Sequence, residues 1–323
     1  MLRFTPFSPD NTARWDAFVR TARNGVFLFE RSYMDYHAAR FEDASLMIWR
    51  GDDLIALLPA HRLDSEGGPV LVSHSGLTFG GLILHGALRA QDTLEIVDGL
   101  CAKLRSESWH ALRVRPVPHI FHRQPSEDEL YALLRRGARV VRSDLAHTVD
   151  LARRPPLAGG RRNARSRARR AGVQVRRSND WAAAWTLVEA VLAARHGALP
   201  THALHEIVTL AQRFERISLH AAFPGDATNA PPLAVAVTYA YDGVLHTQYL
   251  AASEAGREIG ALDAVIEMLL EHPPAGTRWL SFGVSTYDQG RQLNAGLAAQ
   301  KEMFGARPTL LTTLELDPRE SFQ

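Results

Sequence analysis

The chain has 323 residues, 46% of them apolar, enough to bury one large core or two ordinary ones, which excludes a disordered, collagenous or disulfide-stapled protein. Basic residues number 37 against 35 acidic, so no field of the whole molecule recruits nucleic acid or an anionic membrane. The balance is uneven along the chain, because only Lys103 and Lys301 are lysines and ten arginines without an acidic residue fall between Arg153 and Arg177.

In the first half, a helical stretch around Trp15 to Arg23 precedes FLFERSYMDYH, and strand-like runs flank Gly51-Asp52-Asp53, which predicts a hairpin. A glycine-rich SHSGLTFGG follows. Leu94, Val97, Leu100, Cys101 and Leu104 then recur at helical spacing, and a strand is expected from Ala111 to Val117. Ser126 and Glu129 have the spacing of a capping box ahead of a short helix. The arginine segment comes next. Arg162, Arg165, Arg169 and Arg170 stand at i, i+3, i+7 and i+8, so one helical face can present guanidinium groups to phosphates; a solvated linker helix is the plainer alternative.

The second half repeats the order. Trp185, Val188, Val191 and Leu192 mark one helix and Leu204, Ile207, Val208 and Leu210 another. Alternating Leu233 to Tyr241 turns at Asp242-Gly243 into Val244 to Ala251, and Leu262, Val265, Ile266, Leu269 and Leu270 form a core-facing stripe before Pro273-Pro274. Hairpins followed by a glycine-bearing turn, a helix and a strand predict an α+β fold of two domains, 1–150 and 181–323, joined by a basic linker or helix at 151–180.

One cysteine permits no internal disulfide, and neither a leader peptide nor a run of about 18 apolar residues is evident, so a cytoplasmic protein is expected. The fourteen histidines include His119-x-x-His122 and His202-x-x-His205, but no third ligand stands at a diagnostic spacing, and no metal is expected. A Gly-x-Ser-x-Gly elbow is missing and Cys101 lies on an apolar stripe, which disfavours covalent catalysis.

Arg257-Glu258-Ile259-Gly260-Ala261-Leu262 separates a strand from a helix, where free N–H groups and a small residue make an anion site; an ordinary helix start is the alternative. The run resembles the R/Q-x-x-G-x-G/A pyrophosphate loop of GCN5-related N-acetyltransferases, with Leu262 at the place of the last small residue. The C-terminal run SFGVSTYDQGRQLNAGLAAQKEMFGAR resembles the FemAB-like branch of that superfamily, with its S-F-G-x-S, G-x-x-L-N-x-G-L and K-E-x-F-G signature. FLFERSYMDYH, SHSGLTFGG, GRRNARSRARRAGV, RHGALPTHALHEI and HTQYLAASEAGREIGALDAVI agree with it.

The resemblance implies tandem acetyltransferase-like (GNAT-fold) domains with mixed, largely antiparallel sheets. It implies transfer of an acyl or aminoacyl group to an amine, often of a cell-envelope, polysaccharide or peptide precursor, from an acyl-CoA-type donor or an aminoacyl-tRNA. Acyl-CoA is the preferred donor because the glycine loop is present, with Arg257, Gly260, Ala261, Arg162 and Arg165 as donor-binding residues. The signature places a functional lysine at Lys301, whose charge suits a tetrahedral oxyanion. His246 is the candidate base, with Gln248 expected on the same strand face, and Tyr287 can protonate the leaving group. Ser285 and Asn294 in the signature, Gln248 near His246, His196 beside Arg195, and Tyr36, His74 and Thr78 in the first half are expected to bind substrate. A non-catalytic anion- or nucleic-acid-binding module on the same fold is the competing expectation.

Overall fold

The computed structural model describes residues 1–225 and 230–320, apart from the side chain of His196. The chain forms two compact units that are not consecutive halves. Met1–Leu145, Thr286–Gln292 and the chain from Leu310 onward make the first; Ala146–Ser285 and Leu293–Thr309 make the second. This departs from a division at 150 and 180 because the end of the chain returns to the first unit, where Leu314 pairs with Val114 and Leu316 with Leu112. Of the two alternatives for the basic segment, the structure shows the helix. Its helix, Gly159–Arg170, packs within the second unit.

In the first unit the expected hairpin forms between Leu46–Arg50 and Asp53–Leu58, with Gly51 at φ +61, inside a four-stranded antiparallel sheet. A second sheet contains the parallel pair Gly68–Ser73 and Ala111–Val114. Helix Ala90–Ser106 connects the two strands and buries Ile96, Val97, Leu100, Cys101 and Leu104 in the core. A parallel pair needs such a crossover, since the chain must return to the same end of the sheet. The capping box does not form: Ser126 accepts a hydrogen bond from Arg23 Nε, and Glu129 accepts one from the Leu82 N–H, both distant in sequence. Glu127 stands at the N-cap of helix Asp128–Arg135.

The second unit has the same plan. Val173–Ser178, Ile217–Pro224, Ala234–Tyr241 and Val244–Ala252 are antiparallel in sequence order, with Gly243 at φ +81 in the predicted turn. Helix Ala261–Glu271 then crosses to Trp279–Val284, which pairs in parallel with Val244–Ala252. Its stripe of Val265, Ile266, Leu269 and Leu270 packs with Leu245, Ala252, Leu280 and Phe304. The observed fold is therefore α+β in both units. No described helix is long and apolar enough to cross a membrane.

Candidate functional site

The parallel pair of the second unit is short. Val244, Leu245 and His246 align with Trp279, Leu280 and Ser281, and the pairing stops there. His246 and Ser281 close the paired stretch, with Nδ1 3.1 Å from Oγ. Immediately beyond, the register against Ala234–Tyr241 slips, since Thr247 faces Thr238 and Tyr249 faces Val237. Gln248 is the additional residue of a bulge, which re-aims the remainder of the strand. Leu245 packs beneath helix Ala261–Glu271 before the bulge and Leu250 and Ala252 after it, so the face changes parity. His246 thus shares a face with Tyr249, whose ring meets Trp185, and the expected His246–Gln248 alternation is broken.

Helix Ala295–Glu302 carries the signature lysine. Asn294 begins it, its Oδ1 accepting from the Leu297 N–H at 3.0 Å while its own N–H donates to Ser285 O at 2.8 Å. That gives Asn294 a capping role. Lys301 is only 6% exposed and donates to Gly283 O at 3.0 Å, Val284 O at 2.6 Å and Ser285 Oγ at 3.0 Å. Burial lowers its pKa to about 8. Ser285 in turn meets Nδ1 of buried His147 at 2.9 Å, and His147 Nε2 lies 3.5 Å from Glu302 Oε1. Burial, aided by the charge of Lys301, lowers His246 to about 4 and moves His147 the same way. Both imidazoles are therefore neutral near pH 7, beside a lysine that is mostly protonated.

The glycine loop is a tight turn between two helices. Glu254–Ile259 is a short helix capped by Ser253, and Gly260 takes the left-handed conformation, φ +79, before helix Ala261–Glu271 starts. A Cβ on Gly260 would lie 2.6 Å from Ala164 O, so the glycine lets the arginine helix approach closely. Arg257 donates to Ala252 O, and Arg167 Nε to Glu258 O. The arginine row splits into two sets. Arg161 pairs with Asp263, and Arg165 with Glu267 and Glu271, an acidic stripe at i, i+4 and i+8 on the opposing helix. Arg162 donates to Leu157 O. Arg162, Arg169 and Arg170 are exposed and form no ion pair among the described residues. Gly260 and Ala261 are buried and Arg165 is ion-paired, whereas Arg257, like Arg162, is exposed with one backbone carbonyl as its partner.

In the first unit, His74 lies in a ring cluster with His37, His61 and Phe41 at centroid distances of 4.8–5.5 Å. Desolvation, then His61 and His37, lower its pKa to about 3. It borders a cleft of about 500 Å³ lined also by Ser73, Ser75, Arg113, Arg115 and Arg142. Fully buried Asp144 anchors the cleft by accepting from Arg115, Arg142 and Thr286. Thr78 is half-buried beside it but does not line it. Tyr36 sits edge-on to His37, and Tyr287 is 53% exposed on the short strand Thr286–Tyr287. His196 ends helix Trp181–His196, and its side chain lies outside the described residues. The cleft arginines and His147 escaped the sequence reading. Arg113 and Arg115, two apart at a strand end, carried the one local signal.

Among the described residues no three His, Cys, Asp or Glu side chains are grouped to hold a metal, and His202 instead meets the Tyr249 hydroxyl at 2.7 Å.

No family model matches the sequence, and no curated protein matches it. Solved structures do. The chain is similar to FemX at 12% identity, covering 97% of this chain and 96% of that one with a TM-score of 0.68. It is similar to L-PGS from Bacillus licheniformis at 12% identity, over 98% and 94% of the two chains, TM-score 0.62. A tandem GNAT protein from the clavulanic acid biosynthesis pathway matches at 14% identity over 100% of both chains, TM-score 0.50. At such identities the fold is what is shared: this chain has a fold similar to that of FemX and of the tandem GNAT protein.

Proposed function

We propose that this chain is an N-acyltransferase that joins a carboxyl-derived acyl group to an amine by direct attack, with Lys301 at the reacting centre. The observation carrying this reading is the buried Lys301 ammonium at the end of the parallel strand pair, in a fold shared with FemX. As the amine nitrogen bonds to the acyl carbon, the carbonyl oxygen gains negative charge, and a preorganised cation beside it lowers the barrier. Lys301 supplies that cation by exchanging one of its carbonyl partners for the oxyanion. Neutral His246 takes the proton that the attacking nitrogen sheds. Collapse breaks the bond from the acyl carbon to oxygen or sulfur, and the leaving atom takes up the proton that His246 received.

Of the two donors that the family resemblance implies, the close packing of Gly260 on the arginine helix favours the ester of an aminoacyl-tRNA over acyl-CoA. Exposed Arg162, Arg169 and Arg170 offer its phosphates charge. The arginine-lined cleft of the first unit, with His74, is proposed as an anion-binding pocket that suits a phosphate or carboxylate group.

The test is Lys301→Ala and the wild type, assayed with charged tRNAs and acyl-CoAs against amino-sugar nucleotides and peptide precursors. Loss of an oxyanion donor costs about 10²–10³ in kcat. The rate of the wild type falls as pH rises through about 8, where Lys301 loses its charge. Transfer undiminished in Lys301→Ala refutes the reading, and activity with acyl-CoA alone overturns the donor assignment.

A further inference from the structure

An ammonium has three donors and no acceptor, so its three partners must each present a lone pair. For Lys301 two are the carbonyls of Gly283 and Val284, which have no choice of polarity. The third, the Ser285 hydroxyl, does have one, because it rotates to suit its neighbours. Its proton must point away from Nζ, and the structure supplies a destination at 2.9 Å, His147 Nδ1. His147 belongs to strand Arg139–Asp150, is 1% exposed, and is separated from Ser285 by 138 residues. The polarity therefore runs one way, from Lys301 to Ser285 to His147 Nδ1, leaving the imidazole proton on Nε2, which faces Glu302 Oε1 at 3.5 Å.

We infer that His147 is a positioning residue for Lys301: by accepting the Ser285 proton it holds the hydroxyl lone pair toward Nζ and so keeps the lysine charged and aimed. The inference rests on the assignment of Lys301 to the reacting centre only for its bearing on catalysis. The charged groups facing His147 are Lys301 and Glu302, both on helix Ala295–Glu302. Protonating His147 would place a second donor at the Ser285 oxygen and a second positive charge near Nζ. Either change works against the ammonium. The neutral state of His147, favoured by burial and by Lys301 itself, is thus the state that supports the lysine.

Two lysines in the chain make the test direct, since protein labelled with ¹³C at lysine Cε gives two signals, one from Lys103 and one from Lys301. Lys103 pairs with Glu107 at the surface of the first unit and reports that the fold is intact. In the wild type the Lys301 signal titrates near pH 8. Ser285→Ala removes a hydrogen bond to a charged group, and the midpoint falls by about one pH unit. His147→Ala lowers it in the same direction, and His147→Gln, which keeps an acceptor, restores it. A Lys301 midpoint unmoved in His147→Ala, or equally lowered in His147→Gln with Lys103 unchanged, overturns the inference. Transfer assays separate the two failures. Coupled titration with an active Lys301→Ala enzyme would sink the proposed chemistry and leave the His147 role standing, whereas an uncoupled midpoint with inactive Lys301→Ala would do the reverse.

Discussion

Gly260 offers a sharp test of why the signature glycine is there. If the residue serves a phosphate, adding a methyl group harms ligand binding and leaves stability alone. The structure says otherwise, because the methyl would meet Ala164 O at 2.6 Å and Ala164 C at 3.0 Å, backbone atoms that cannot swing aside. Alanine in the left-handed region costs roughly 1–2 kcal/mol. Forcing helix Gly159–Arg170 outward adds about 1–3 kcal/mol of overpacking. Gly172→Ala is the matched control: the same helix ends there with φ +69, and nothing lies within 4 Å of its Cβ position. Gly260→Ala should therefore exceed Gly172→Ala by about 1–3 kcal/mol in urea unfolding, which is about 2–4 °C in melting temperature per kcal/mol. Hydrogen exchange in helix Ala261–Glu271 localises the loss. Equal midpoints for the two variants would show that the helix does not depend on this glycine.

Glu129 is 3% exposed, and burial raises its pKa to about 8 from an ordinary 4.5. The unfolded chain then gives up this proton first, so the contribution to stability is complete below pH 4.5 and declines as pH rises to 8. Glu129→Gln keeps an acceptor for the Leu82 N–H and flattens that decline; parallel urea midpoints of variant and wild type between about pH 4 and 9 would refute the assignment. Asn294→Ala should cost about 1 kcal/mol through the lost cap, while Asn294→Asp, which caps equally well, should melt with the wild type. Substrate affinity lost from Asn294→Ala at unchanged melting temperature would return the residue to the binding surface.

What could be read in advance was local. Asp242-Gly243 needs only its neighbours to form a turn, and the stripe from Val265 to Leu270 needs only its own period. Ser126 and Glu129 carried an equally local signal that failed, because Arg23 and the Leu82 N–H compete for the same oxygens from elsewhere in the chain. Lys301 was found by its motif, but its partners depend on register. His147 reaches Ser285 only once the strands are aligned, and Asp144 reaches Thr286 across 142 positions. The arginine row is intermediate. Arg165 of the row and its neighbour Arg161 are four apart, as are Asp263, Glu267 and Glu271, so two complementary ladders meet.

The interleaved order of the units dictates how the chain can be completed during synthesis, which proceeds at about 5–20 residues per second. Every residue of the second unit has been made once Thr309 is joined. The first unit begins at Met1 yet lacks the residues that pair with Leu112 and Val114 until Leu314 and Leu316 have emerged. Residues 1–145 thus wait for a strand made after the second unit is complete, and a chain stopped at Thr309 would injure the unit that holds them.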